Sequence, residues 1–314
     1  MEYGLIGEKL THSFSKEIHA KIGNYPYELL EIPREKLSEF LALKNFRAVN
    51  VTIPYKEAVI PFLNGISAEA KKIGAVNLIV NKNGVLYGYN TDYYGAKRMI
   101  ERAGIHVNGK KTLILGSGGT KKTLYAVLSD LGAKEILIVS RKKSDGTITY
   151  EEAVSLHSDA EIIANATPVG MFPAIDDMPI DPDLFKNLSG VIDVIYNPLT
   201  TRLIESAQAR GIPHTNGLYM LAAQAVLAYS VVKDVPTDEA LCESVYVKTL
   251  REKRNVVLIG MPSSGKTEIG KRIAEKTGRI FIDTDLLTER RTGKSPAAFI
   301  REYGEAAFRA EEAI

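Results

Sequence analysis

Short apolar runs alternate with longer amphipathic stretches along most of the chain, the pattern of an α/β fold. Residues 3–6 read as a strand, 15–22 as a helix, 27–32 as a strand and 34–43 as a helix. Residues 48–52 read as a strand stopped by Pro54, and 66–72 as a helix. Two strands, 76–80 and 85–89, flank Asn83-Gly84, a strong hairpin signal. A helix at 93–103 ends at Gly104. The run 112–115 is then continuously apolar, as in a parallel strand buried on both faces. A glycine-rich turn, a helix to Leu131 and the strand 136–139 complete a βαβ unit. Further strands are expected at 161–165 and 191–195, with helices at 151–157, 200–210 and 218–232. Residues 233–255 read as a boundary, with one amphipathic helix over 237–252. A second strand–turn–helix begins at Val256.

Length and composition refine this picture. At 314 residues the chain suits two domains and part of a third. It is 45% hydrophobic and 25% charged, which excludes disorder and disulfide scaffolds. The net charge of +2 gives no prior for nucleic acid or membrane surfaces. The single cysteine, Cys242, fits a reducing compartment and removes cysteine-based metal sites from consideration. There is no basic, apolar leader at the start and no apolar run long enough to span a bilayer. A cytoplasmic setting is the expectation.

The first glycine-rich turn is Gly116-Ser117-Gly118-Gly119-Thr120. Glycines between a buried strand and a helix let backbone approach a pyrophosphate at the helix N-terminus. The third glycine of the dinucleotide pattern is replaced by Lys121, and a plain strand–helix turn is the alternative. Where an NAD site places an acid after the next strand, this chain has Ser140-Arg141-Lys142-Lys143. Given the glycine turn, those cations favour the 2′-phosphate of NADP over NAD, with a solvated charge run as the alternative. Lys56 and Asp92 each follow a strand, where ligand sites of α/β folds open. Spacing alone favours two loop residues at the surface; brought together, they could share a proton.

Ser13-Phe14-Ser15, the run 50–56, Gly74-Ala75-Val76-Asn77 and Asn90-Thr91-Asp92 occur in that order. They are followed by the glycine turn, the run 165–171, Asp193 with Tyr196-Asn197-Pro198, and Asn216-Gly217 with Gln224. Together these resemble the shikimate dehydrogenase family across residues 1 to 235. The resemblance implies reduction of 3-dehydroshikimate to shikimate with NADPH. It implies Lys56 and Asp92 as the catalytic pair, Lys56 giving the proton to the carbonyl oxygen. Substrate contacts would be Ser13, Ser15, Thr52, Asn77, Tyr196 and Gln224, although Ser15 could instead cap its helix and Tyr196 and Gln224 could be packing residues. Cofactor contacts would be Gly116, Ser117, Gly118, Gly119 and Thr120, then Ser140, Arg141 and Lys142, then Thr167, Val194, Gly217 and Met220. The clamp usually begins Asn-Arg-Thr and here begins Ser-Arg-Lys. The implied architecture is a discontinuous α/β substrate domain, 1–96 plus 216–252, beside a Rossmann-like NADP domain, 97–215.

The second glycine-rich turn, 260–267, is a full G-x-x-x-x-G-K-[ST] match. Gly260, Ser263, Ser264 and Gly265 would cradle ATP phosphates, Lys266 would reach the β/γ-phosphates and Thr267 would bind Mg²⁺. A second strand at 281–285 ends in Asp283 and Asp285. This part is similar to the first third of shikimate kinase, which implies Asp283 near the metal and Asp285 with Arg309 on shikimate. An ion pair with Glu305 or Glu312 is the alternative for Arg309. Residues 253–314 are thus expected to be the start of a P-loop α/β domain, too short to close its own sheet or to phosphorylate shikimate well. Three rival readings remain: a quinate/shikimate dehydrogenase using NAD, a non-catalytic NADP/shikimate-binding regulator, and a P-loop NTPase with an unrelated leading module. Monomer and homodimer are both open.

Overall fold

A computed structural model describes residues 1–10, 14–261 and 264–312. The chain forms two compact units, residues 1–253 and 254–314. The first contains two six-stranded sheets.

The first sheet takes β1 (Tyr3–Gly7), β2 (Glu28–Glu31), β3 (Ala48–Val51), β4 (Gly65–Ile66), β5 (Leu78–Lys82) and β6 (Val85–Tyr89) in the order β2-β1-β3-β5-β6-β4. β3, β5 and β6 run antiparallel in turn; the other pairs are parallel. The β5–β6 hairpin turns at Asn83 and Gly84, both at positive φ as the sequence pattern requires. Its helices are α1 (Ser15–Ile22), α2 (Leu37–Leu43), α3 (Tyr55–Ala58) and α4 (Ala68–Ile73). One face buries Ile6, Val49, Leu41 and Tyr55; the other buries Tyr3, Leu5, Tyr27 and Leu78.

α5 (Thr91–Arg102) leads to the second sheet. Its strands are β7 (Lys111–Leu115), β8 (Glu135–Val139), β9 (Thr147–Ile148), β10 (Ile162–Asn165), β11 (Gly190–Asp193) and β12 (His214–Thr215). All pairs are parallel, in the order β12-β11-β10-β7-β8-β9. That is the doubly wound arrangement, whose direction reverses between β7 and β10. α6 (Gly119–Asp130), α7 (Tyr150–Leu156) and α8 (Arg202–Ala209) are its crossover helices. Leu113 and Leu115 point into one core and Ile114 into the other, so β7 is buried on both sides.

α9 (Leu218–Lys233) is the joining element. Its Tyr219, Ala222 and Val226 belong to the core behind the parallel sheet, and its Ala228 to the core behind the mixed sheet. It lies close against α5: a Cβ on Gly95 would come within 2.6 Å of the Met220 carbonyl. α10 (Glu239–Lys253) packs on α9 and α5, with Arg102 bidentate to Glu243 at 2.8 and 2.9 Å.

The second unit holds α11 (Lys266–Thr277), α12 (Thr284–Thr292), α13 (Pro296–Tyr303) and α14 (Glu305–Glu312). The strands expected at 256–259 and 281–285 are not formed. A strand requires a hydrogen-bonded neighbour, and among the described residues neither stretch has one. Val257 and Ile259 are 77% and 90% exposed. Asp285 sits in the first turn of α12 rather than at a strand end. Gly270 of α11 receives the Phe281 ring and Leu258, so both apolar runs touch that helix.

Candidate active site

A cavity of about 660 Å³ opens where the carboxyl ends of β1, β3 and β11 meet the start of α6. From the mixed-sheet side come Ser15, Thr52, Lys56, Asn77 and Asp92. From the parallel-sheet side come Gly119, Thr120, Val194 and Tyr196, and from α9 and its lead-in come Gly217, Met220 and Gln224. Thus twelve residues singled out in the sequence share one wall.

Lys56 lies on the short α3, placed directly after β3 by the turn at Pro54. Asp92 lies in the first turn of α5, whose cap is Asn90 accepting from the Tyr93 N–H at 3.2 Å. Lys56 Nζ donates to Asp92 Oδ2 at 2.7 Å, with side chains 32% and 16% exposed. The pair is therefore within reach of a ligand and partly shielded from water.

Behind it runs a chain of amides and hydroxyls. Asn77 Oδ1 accepts from the Thr91 N–H at 2.7 Å, and Asn77 Nδ2 donates to Thr91 Oγ1 at 3.0 Å. Thr91 Oγ1 meets Gln224 Oε1 at 3.2 Å. Asn50 Nδ2 donates to the Asn77 carbonyl at 3.2 Å. Asn50, quoted within the run 50–56 but assigned no role there, also lines the cavity and is buried. The Tyr196 ring stands edge-on to Phe14 at 5.7 Å, and burial pushes its phenol pKa up. Ser15 does not cap α1, whose N-cap is Phe14. Ser13 lies outside the described residues.

The glycine turn has the geometry that a phosphate cradle needs. Gly116 has φ +102°, and a Cβ there would meet Thr167 Cγ2 at 2.8 Å. Gly118 and Gly119 open onto free space at the N-terminus of the twelve-residue α6. Gly116, Ser117, Gly118 and Thr167 are not part of the cavity wall; they continue from it along the parallel sheet. Thr167 Oγ1 donates to Asn165 Oδ1 at 2.7 Å, and Asn165 Nδ2 donates to Asp193 Oδ1 at 3.1 Å. Thr201 Oγ1 donates to Asp193 Oδ2 at 2.7 Å and the Ile195 N–H to Oδ1 at 3.0 Å. Burial nevertheless pushes the Asp193 carboxyl up to about 6. This network was not read from the sequence.

Ser140, Arg141 and Lys142 follow β8, next along the sheet from the glycine turn. The Ser140 N–H donates to the Ile148 carbonyl at 2.9 Å, while Arg141 and Lys142 are exposed. Lys143 is paired with Glu152. Lys122 of α6 pairs with Glu57, a wall residue on α3, at 2.7 Å.

The second glycine turn is described by itself. Gly265 caps α11 with φ +87°, and Lys266 Nζ donates to the carbonyls of Gly260 and Met261 at 2.7 and 2.8 Å. Thr267 Oγ1 donates to Asp283 Oδ2 at 3.3 Å, bringing the two expected metal-side residues together. The Ser264 N–H donates to the Met261 carbonyl, and Ser263 lies outside the described residues. Arg309 pairs with Glu305 at 3.3 Å. Among the described residues no group of three or more His, Cys, Asp or Glu could hold a metal by itself. A Thr and an Asp suit Mg²⁺ that also takes oxygens from phosphate and water.

Comparison with known proteins fixes the family. The chain is 40% identical over 262 residues to the shikimate dehydrogenase (NADP(+)) of Clostridium beijerinckii, covering 78% of this chain and 96% of that protein. The chain belongs to the shikimate dehydrogenase family. The family model for the shikimate dehydrogenase substrate binding domain matches residues 5–79. The crystal structure of shikimate dehydrogenase 1 from Peptoclostridium difficile is 37% identical, with a TM-score of 0.73 over 81% of this chain and all of that one. The Thermus thermophilus shikimate 5-dehydrogenase, in complex with NADP(H) and shikimate, is 29% identical, with a TM-score of 0.70 over 79% of this chain and 99% of that one. A shikimate kinase family model matches residues 262–314, so this shikimate dehydrogenase carries a shikimate kinase segment. No helix among the described residues is long and apolar enough to cross a membrane.

Proposed function

We propose that Lys56 is the acid of this site and Asp92 the group that holds it, in the reaction of an NADP-dependent shikimate dehydrogenase of aromatic biosynthesis. The reaction reduces the ketone of 3-dehydroshikimate to the alcohol of shikimate, and NADPH supplies the hydride when bound. The Lys56 ammonium hydrogen-bonds the ketone oxygen, gives it a proton as the carbonyl is reduced, and recovers one from water. Asp92 holds the Lys56 ammonium in place through their 2.7 Å hydrogen bond. The single observation that carries this is the 2.7 Å pair standing in a wall shared by both sheets.

Ser13 and Ser15 take the substrate carboxylate in this reading; Thr52, Asn77, Tyr196 and Gln224 take its oxygens. The open start of α6 takes the pyrophosphate through Gly116, Ser117, Gly118, Gly119 and Thr120. Ser140, Arg141 and Lys142 take the 2′-phosphate. Thr167, Val194, Gly217 and Met220 border the nicotinamide. The Val194 carbonyl would lie 1.9 Å from a Cβ on Gly217, so only glycine fits there. Residues 1–96 with 216–252 serve as the substrate domain and 97–215 as the NADP domain. A single cysteine, with no second thiol to form an internal disulfide, suits a reducing cytoplasm. In the kinase segment Gly260, Ser263, Ser264, Gly265 and Lys266 would face ATP phosphates, Thr267 and Asp283 Mg²⁺, and Asp285 and Arg309 shikimate.

The test is NADP⁺ reduction with shikimate, run beside NAD⁺ and quinate, on wild type and Lys56→Ala. Turnover with shikimate and NADP⁺ that the variant loses supports the reading. Wild type that binds NADP⁺ and turns over nothing overturns it.

A further inference from the structure

The Tyr27 hydroxyl lies behind the cavity, just ahead of β2, and is committed to two residues of the cavity wall. It donates to Asn50 Oδ1 at 2.9 Å and is hydrogen-bonded by the Ser15 side chain. Because the phenol proton goes to Asn50, Ser15 reaches the phenol oxygen as the donor. Asn50 is held at its other end by the Asn77 carbonyl, so both ends of its amide are fixed and its orientation is single-valued. Tyr27 is itself clamped: its ring stacks on His19 at 4.0 Å and 13°. His19 is buried, paired with the Tyr25 hydroxyl, and held neutral by desolvation. None of these three rings touches the cavity.

We infer that Tyr27 is a positioning residue for substrate: through one hydroxyl it sets Ser15 and Asn50, from two different elements, at the end of the cavity that takes the carboxylate. The inference rests on the proposed reading of that end. Deleting the phenol oxygen leaves the buried Asn50 acceptor without its donor and takes one acceptor from the Ser15 hydroxyl, so the wall meets substrate less firmly fixed. The hydrogen bond between Lys56 and Asp92 involves neither residue.

Steady-state kinetics on the full chain tests this. Tyr27→Phe keeps the ring and its stack and removes one atom. The KM for shikimate is expected to rise about tenfold, with kcat and the KM for NADP⁺ within about twofold. His19→Phe keeps an aromatic stack and should leave the KM for shikimate unchanged. Combining Tyr27→Phe with Ser15→Ala should cost less than the product of the single effects, because both act through one hydrogen bond. An unchanged shikimate KM in Tyr27→Phe, or an equal rise in His19→Phe, overturns the inference. If Ser15→Ala itself leaves the KM for shikimate unchanged, it is instead the assignment of the carboxylate end that fails.

Discussion

The turns at 116–119 and 260–265 each carry the chain from an apolar run into a twelve-residue helix, yet they rest on different foundations. β7 beneath the first is paired on both sides, by β8 and β10, and buried on both faces. Its Gly116 N–H donates to the Val139 carbonyl at 2.8 Å, and Gly118 and Gly119 face open space. Val256–Ile259 before the second has no ladder partner among the described residues and is exposed. There Lys266 turns back onto the carbonyls of its own loop. A glycine-rich motif specifies a local turn; the sheet below decides how rigidly that turn is presented.

The largest expected effect asks whether chemistry belongs to the first unit alone. Lys56→Ala should lower kcat by about a hundredfold to ten-thousandfold, read as NADP⁺ reduction, with an unchanged circular dichroism spectrum. A variant that keeps most of its rate would sink the assignment.

Next comes the direct contrast of turns. Gly116→Ala forces a positive φ on alanine and drives a methyl group to 2.8 Å from Thr167. It should destabilise by about 2–3 kcal/mol in urea unfolding and weaken NADP⁺ binding. Gly265→Ala meets nothing within 4 Å and carries only the φ penalty. About 1 kcal/mol is expected there, seen as faster amide exchange in α11 alone. Equal costs at both sites would erase the distinction between the two turns.

Arg141→Ala should lower kcat/KM for NADP⁺ by about tenfold or more and leave that for NAD⁺ nearly unchanged. Equal losses with both cofactors would remove Arg141 from the 2′-phosphate.

A fourth contrast lies in two buried ionisable groups of the first unit, His19 on α1 and Asp193 at the end of β11. His19 falls from an ordinary 6.5 to about 3 because it is buried. Its folded form stays neutral while the unfolded chain gains a proton, so stability is lost as pH falls from 6.5 toward 3. Asp193 rises from 3.8 to about 6, also through burial. Its folded form keeps a proton that the unfolded chain has lost, so this group adds stability as pH falls from 6 toward 3.8. Each slope is about 1.4 kcal/mol per pH unit, and between 6 and 3.8 they oppose one another. Asp193→Asn should therefore steepen acid destabilisation and His19→Phe should flatten it, in urea titrations from neutral to acid pH. Matching pH profiles in the two variants would refute this pairing.

The smallest effect is expected at Lys266→Ala, which should leave dehydrogenase turnover within about twofold. A large loss there would mean that the two units share more than a chain.

Much of the first unit was readable because its signals are local. The Asn83-Gly84 turn signal placed the hairpin, and short apolar runs placed β7 and β8. The two-residue strands β4, β9 and β12 left no such trace, since they exist only through neighbours supplied by distant sequence. The same dependence runs the other way at 256–259 and 281–285, where strand-like residues meet no partner. In the site, Lys56 and Asp92 were visible as residues following strands, but their contact depends on α3 and α5 meeting. The bonding of Asn50 and Asp193, both quoted as motif residues, and of Tyr27 was hidden for another reason. Their polar atoms serve other side chains, and no spacing in one sequence records such a bond.

The double allegiance of α9 has a mechanical reading. Because Tyr219 and Val226 are sealed into one core and Ala228 into another, neither sheet can come apart and leave that helix intact. The two halves of the first unit should therefore melt as one cooperative block, with the amides of α9 among the last to exchange. Any opening of the cleft must then be a swing about a shared axle, with the wall carried by Met220 and Gln224 nearest the bearing.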